Sequence, residues 1–97
     1  MVRLKVRPEA ETDALEAAFW YEGERTGLGV EFNDALRATL ARVEESPLQF
    51  PLISREFRRA ILQRFPFGVF FLVEGELVTV AAITHLHRHP SSWQERE

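Results

Sequence analysis

The 97-residue chain contains no cysteine and one lysine, Lys5. The absence of cysteine excludes disulfide bonds and thiolate chemistry. The longest apolar run, residues 67–73, is far shorter than the roughly 20 residues that a membrane-spanning helix needs. The first residues also lack the apolar stretch of a signal peptide. These absences predict a cytoplasmic protein without membrane segments, and the length predicts a single domain over residues 1–97.

The chain has no overall basic charge, since its formal net charge is −3. Residues 1–46 hold six Lys/Arg and ten Asp/Glu, net −4, whereas residues 47–97 hold six and five, net +1. Affinity for nucleic acid rests largely on phosphate neutralisation by Lys and Arg. Any contact with RNA would therefore have to come from a local group of arginines. These are Arg55, Arg58, Arg59, Arg64 and Arg88.

The N-terminal half predicts one strand and two helices. Apolar and basic residues alternate over residues 2–6, which is typical of a half-buried strand. Pro8 suits the first turn of a helix over about residues 9–25, and a second helix is expected over residues 29–45. The link between them is short, so the helices should form an antiparallel hairpin. The expected core stripes are Leu15, Ala18 and Phe19 on the first helix, and Phe32, Leu36, Leu40 and Val43 on the second.

The C-terminal half predicts strands. Pro47 and Pro51 bracket a loop, after which strands are expected over residues 57–65, 69–73 and 77–86. A hairpin turn at Glu74-Gly75 or Gly75-Glu76 should join the last two. The order β-α-α-β-β-β predicts an α+β fold in which an antiparallel sheet packs against the N-terminal helical hairpin.

The segment 58–93 carries several short motifs in a fixed order. They comprise Arg58, Arg59, Ala60, residues 64–67, His85, Arg88, Pro90 and Trp93. With these motifs the segment resembles the C-terminal half of the RelE/ParE superfamily, the small toxins of bacterial type II toxin–antitoxin modules. The resemblance implies the same α+β fold and a cognate antitoxin that clasps the toxin with an extended segment in a hetero-oligomer. It implies no cofactor.

Three histidines near the C-terminus suggest a metal site. His85, His87 and His89 share one face if the strand stays extended, because strand side chains alternate with period two. Imidazole is the commonest protein ligand for zinc-like metals. Pro90 instead indicates that the strand ends here, and a polar strand terminus explains the same residues without a metal.

A ribonuclease site is a second hypothesis for this region. Histidine suits the roles of general acid and base near neutral pH, and the guanidinium fork of arginine suits a phosphate. The candidate catalytic set is Arg59, His85, His87 and Arg88. The arginines also have a simpler explanation, because they can solvate a strand or pair with the acidic helices. A third possibility is that they dock an acidic partner segment.

The aromatic residues point to a binding surface. Phe19, Trp20 and Tyr21 are consecutive, so they fan out over about 200° of a helix and cannot all face one core. Strand 69–73 is apolar on both faces, and two helices cover only one face. Either a partner covers the other face, or the tail with Trp93 folds back over it. The residues predicted to contact the antitoxin or the target are Phe19, Trp20, Tyr21, Arg58, Arg59, Arg64, Arg88 and Trp93.

Within the superfamily, the sequence is most similar to the ParE-like branch of plasmid-stabilisation toxins. This resemblance implies that the protein inhibits DNA gyrase by protein–protein contact. The net acidity, the single lysine and the lack of a C-terminal tyrosine favour this branch over an enzyme. One alternative is a RelE-like endonuclease that cuts mRNA on the ribosome. Another is a binding module of the same fold that has lost its toxicity.

Overall fold

A computed structural model describes residues 2–90 and 93–96 of the chain. In the described part, two helices are followed by most of a five-stranded sheet, which confirms the α+β class. No helix in these residues is long and apolar enough to cross a bilayer. The elements are β1 (Arg3–Val6), α1 (Pro8–Glu24), α2 (Leu28–Glu45), β2 (Leu52–Ser54), β3 (Phe57–Ile61), β4 (Phe67–Glu74) and β5 (Leu77–His85), with 3-10 turns at Pro47–Gln49 and Gln94–Arg96.

The sheet has the strand order β1-β5-β4-β3-β2. Three of its four pairs are antiparallel, as predicted, but β1 lies parallel to β5, with Val6 opposite Val80. Alternating polarity indicates that a strand is half-buried and carries no information on its direction, so the sequence pattern did not reveal the parallel pair. The sheet is therefore mixed, and β5 extends five residues beyond the end of β1.

The helical hairpin packs on one face of the sheet, where the main core lies. The prediction for α2 is confirmed, because Phe32, Leu36 and Val43 are buried and Leu40 is half-buried. Phe32 stacks on Tyr21 and contacts aromatic rings of the β3–β4 region edge-on. These contacts hold the hairpin against the start of β4, the central strand of the sheet.

The core stripe predicted for α1 is confirmed only at Ala18, which is half-buried against the core, and is wrong at its two large side chains. Leu15 is 72% exposed and Phe19 is 82% exposed, whereas Ala10 and Ala17 are buried. Alanines let the helix approach the sheet closely, and Tyr21 supplies the large ring of this face. The most apolar side chains of α1 therefore lie on its outer surface.

The β-strand connections differ partly from prediction. Gly75, with φ of +62°, and Glu76 form the two-residue loop between β4 and β5, which matches the second predicted turn. The strand predicted over residues 57–65 ends at Ile61, and a loop follows in which Arg64 has φ of +69°. The short edge strand β2 was not predicted, because three residues close to Pro51 carry too little periodicity.

Two glycines shape the connection between the helices. Gly27 precedes α2 with φ of +91°, and a Cβ atom built on Gly29 would lie 2.7 Å from the carbonyl oxygen of Ala18 in α1. The carboxylate of Glu22 accepts the backbone N–H groups of both glycines at 2.9 Å, and these hydrogen bonds lower the pKa of Glu22. The close approach of the two helices at this point requires a residue without a side chain.

We expect the substitution Gly29→Ala to lower the free energy of unfolding by about 1–3 kcal/mol, because the new methyl group must push the two helix backbones apart. The control is Gly23→Ala in α1, where a Cβ meets nothing within 4 Å. Alanine there should stabilise the helix by about 0.5–1 kcal/mol. Urea unfolding of both variants measures the two effects. Equal effects would contradict close packing of the helices at Gly29.

Candidate functional site

The histidine region forms a turn and not an extended face. Strand β5 ends at His85, and the backbone N–H of His87 donates to Nδ1 of His85 at 3.1 Å. The two rings lie 5.0 Å apart, edge to face. The predicted common face of His85, His87 and His89 is therefore wrong. Within residues 2–90 and 93–96, no three His, Cys, Asp or Glu side chains are grouped to hold a metal ion.

A groove lies beside this turn, between α1 and the end of β5. It encloses about 180 Å³ and is lined by Asp13, Glu16, His85 and Arg88 among others. The groove exists because β1 ends opposite Val80, so no neighbouring strand covers β5 beyond that point on this side. The groove combines carboxylates, an imidazole and a guanidinium, which are groups able to bind a polar ligand.

Arg59 lies on the opposite face of the sheet from His85. Arg59 pairs with Phe70 and His85 pairs with Phe67 in the ladders, and directly paired residues project to the same face. Phe70 packs with Trp93 on one face, whereas Phe67 packs with Phe32 of the helical hairpin on the other. The predicted catalytic set is therefore divided between two faces, and only its histidines and Arg88 are neighbours.

The remaining arginines do not form a common patch. The guanidinium of Arg58 donates to the carbonyl oxygen of Phe50 at 2.6 Å, which anchors the loop before β2. Arg64 pairs with Glu31 at 3.2 Å. Hydrogen bonds from Arg25, and then from Arg64, lower the pKa of Glu31. Arg64 therefore pairs with an acidic helix, as the simpler explanation of the arginines proposed, whereas Arg58 binds a backbone carbonyl.

The face of the sheet that the helices leave open is closed by the C-terminal tail. Trp93 is only 2% exposed. Its ring stacks on Phe70 with centroids 4.3 Å apart and meets Phe57 edge-on at 4.9 Å. The prediction of Trp93 as a contact residue for a partner is therefore wrong, because its side chain is part of a second, smaller core. The alternative, a tail folded over the sheet, is observed.

The three consecutive aromatic residues of α1 separate as their helical spacing predicts. Phe19 and Trp20 are 82% and 60% exposed. Tyr21 faces inward, where its ring lies within 6 Å of three phenylalanine rings, and partial burial raises its pKa. Two of the three rings are therefore available to a partner, and the third is structural.

An ion pair that sequence reasoning missed closes the free edge of β5. Asp13 in α1 accepts a hydrogen bond from Arg96 at 2.7 Å and another from the backbone N–H of Ile83 at 3.1 Å. Arg96 also donates to the carbonyl oxygen of Ala81. The pair thus satisfies backbone groups of β5 where β1 no longer does. Residues so far apart in the sequence leave no local pattern that could have predicted the pair.

Comparison with known proteins gives a structural relation only. No protein-family model matches the sequence, and no curated protein sequence matches it. A chain of a solved structure, "Chromosomal ParDE TA system from P. aeruginosa", superimposes with a TM-score of 0.78. The two chains are 19% identical, and the match covers 88% of this chain and 96% of that one. This protein therefore has the fold of a chain from a ParDE system.

Proposed function

We propose that this protein is the toxin of a type II toxin–antitoxin module, that it inhibits DNA gyrase through protein–protein contact in the cytoplasm, and that a cognate antitoxin neutralises it. The observation that carries the proposal is the shared fold with a ParDE chain over 88% of the sequence. The resemblance of residues 58–93 to the RelE/ParE superfamily supports it independently. The expected complex is a hetero-oligomer of toxin and antitoxin.

The candidate catalytic residues lie on two faces of the sheet, and this separation supports a toxin that binds its target over one that cleaves it. General acid–base catalysis requires its groups within hydrogen-bond reach of one substrate. Arg59 lies across the sheet from His85 and cannot hold the same phosphate. A gyrase inhibitor requires a binding surface and no proton transfer, and the exposed Phe19 and Trp20 provide apolar surface for such contact.

One observation favours the RelE-like alternative, a ribosome-dependent mRNA endonuclease. His85 and Arg88 line the same groove with Glu16, and His87 lies next to His85. Cleavage of RNA by attack of its 2′-hydroxyl requires a general base, a general acid and a cation for the phosphate, and histidine, glutamate and arginine can supply these groups. This alternative requires a different phosphate ligand from the predicted Arg59.

We expect the purified protein to inhibit supercoiling by DNA gyrase and to leave ribosome-bound mRNA uncut. The double variant His85→Ala/His87→Ala should retain inhibition, because no proton transfer is required. In an endonuclease, loss of a general acid or base costs about 10²–10⁴-fold in rate. Cleavage of mRNA by the wild-type protein, lost in a folded double variant, would establish the enzyme and exclude our proposal.

Expression of the chain without its antitoxin tests the other alternative, a binding module that has lost its toxicity. A toxin of either kind stops growth, whereas a module that has lost toxicity does not. Normal growth at high expression, together with unchanged gyrase activity in vitro, would contradict the proposed function.

A further inference from the structure

We propose that the outer face of α1 binds a basic amphipathic helix of the partner protein, with Leu15 and Phe19 as the apolar anchors. This inference rests on the proposed function, because it names the chemistry of the antitoxin segment. It differs from the sequence-based expectation that an acidic segment would dock on the arginines.

The apolar part of this face is a ridge beside a cleft. Leu15 and Phe19 are one helical turn apart and highly exposed, so their side chains are neighbours on the surface. Next to Leu15, a cleft of about 460 Å³ opens between α1 and α2 and is lined by Ala14, Leu36 and Leu40 among others. A partner helix can place apolar side chains at i, i+3 and i+4 into such a cleft while it covers the ridge.

The surface of α1 as a whole is strongly acidic. Helix α1 holds six acidic residues and no basic one. Asp13 forms an ion pair with Arg96, and the carboxylate of Glu22 accepts a hydrogen bond from the backbone N–H of Gly27, just before α2. The other four are exposed and form no ion pair with any residue that the structure describes. They are Glu9, Glu11, Glu16 and Glu24.

Helix stability does not explain this charge. Acidic residues are favourable in the first turn of a helix, which accounts for Glu9 and Glu11. In the last turn they are unfavourable, yet Glu24 stands there and no basic residue does. On the helix surface, Glu11 lies one turn before Leu15, and Glu16 lies three positions before Phe19. Apolar anchors flanked by unpaired carboxylates complement lysine or arginine beside apolar residues.

The other exposed regions fit this partner less well. Trp93 already covers the open face of the sheet. Arg58 and Arg64 are engaged with Phe50 and Glu31, so an acidic segment would have to displace existing contacts. Among the residues that the structure describes, those on the outer face of α1 combine exposed apolar side chains with carboxylates that form no ion pair.

Two synthetic helical peptides of about 20 residues test the proposal. Both carry leucine along one face; one has lysine on the flanks and the other has glutamate in the same positions. Isothermal titration calorimetry with the full chain should show binding of the lysine peptide at least about tenfold tighter than that of the glutamate peptide. The variant Phe19→Ala should weaken binding of the lysine peptide by about 30-fold, as for an interface hot spot.

The control is Leu48→Ala, which removes an apolar side chain of similar exposure, 67%, far from α1 in the sequence. It should leave binding unchanged. The double variant Glu11→Gln/Glu16→Gln should weaken binding about fivefold. Equal affinity for the two peptides, no binding of the lysine peptide, or unchanged binding by Phe19→Ala would each refute the proposal. Supercoiling assays with the wild-type chain contain no peptide, so they report failure of the proposed function separately.

Discussion

The substitution Trp93→Ala should lower the free energy of unfolding by about 3–5 kcal/mol, as for other large aromatic side chains removed from a core. Trp93 is 2% exposed and fills the space between Phe57 and Phe70. Its loss removes the largest side chain of the smaller core and opens one face of the sheet. Domains of this kind are stable by only about 5–15 kcal/mol, so the variant should lie near the limit of folding.

The chain offers a matched control in its other tryptophan. Trp20 is 60% exposed, and Trp20→Ala should change stability by less than about 1 kcal/mol. Urea unfolding followed by circular dichroism measures both variants. The two variants also test burial directly. The fluorescence of Trp93 in the Trp20→Ala variant should be blue-shifted relative to that of Trp20 in the Trp93→Ala variant. Similar losses of stability in the two variants would show that the tail does not pack on the sheet.

Local periodicity predicted those parts of the fold in which the strongest hydrophobic signal coincides with burial. In α2, Phe32, Leu36 and Val43 recur at helical spacing and are buried. The hairpin of β4 and β5 follows from two apolar runs with Gly75 between them. In these elements the sequence pattern and the tertiary contacts favour the same structure.

Prediction from the sequence failed where the hydrophobic pattern and the tertiary contacts favour different faces of an element. Helix α1 buries alanines, which carry little hydrophobic signal, and exposes Leu15 and Phe19, which carry much. The hydrophobic pattern of α1 therefore predicted a core position for two side chains that lie on its outer face. Such conflicts between local pattern and fold are expected at functional surfaces. The misassigned face of α1 is also the face for which we propose a partner.

The candidate site was only partly predictable for a different reason. His85, His87 and Arg88 are close in sequence, so a local argument could bring them together. The position of Arg59 on the opposite face depends on the register between β3 and β4, and the burial of Trp93 depends on the path of the tail. Neither follows from spacing along the chain.

The second large effect is expected at the ion pair between Asp13 and Arg96. The side chains of these residues are only 10% and 22% exposed. Asp13→Ala should lower the free energy of unfolding by about 2–4 kcal/mol, because it leaves the N–H of Ile83 without its acceptor and the guanidinium of Arg96 without its counterion. Urea unfolding at neutral pH measures this loss.

A double-mutant cycle with Asp13→Ala and Arg96→Met separates the pair from its surroundings. Residues in one hydrogen-bond network typically show coupling of about 0.5–3 kcal/mol, and we expect the upper half of that range here. The matched control is the cycle Arg25→Met with Glu31→Gln, at an exposed pair 3.2 Å apart whose side chains are 60% and 36% exposed. Its coupling should stay below about 1 kcal/mol and fall further with added salt. Equal coupling in the two cycles would show that the Asp13–Arg96 pair does not close the edge of β5.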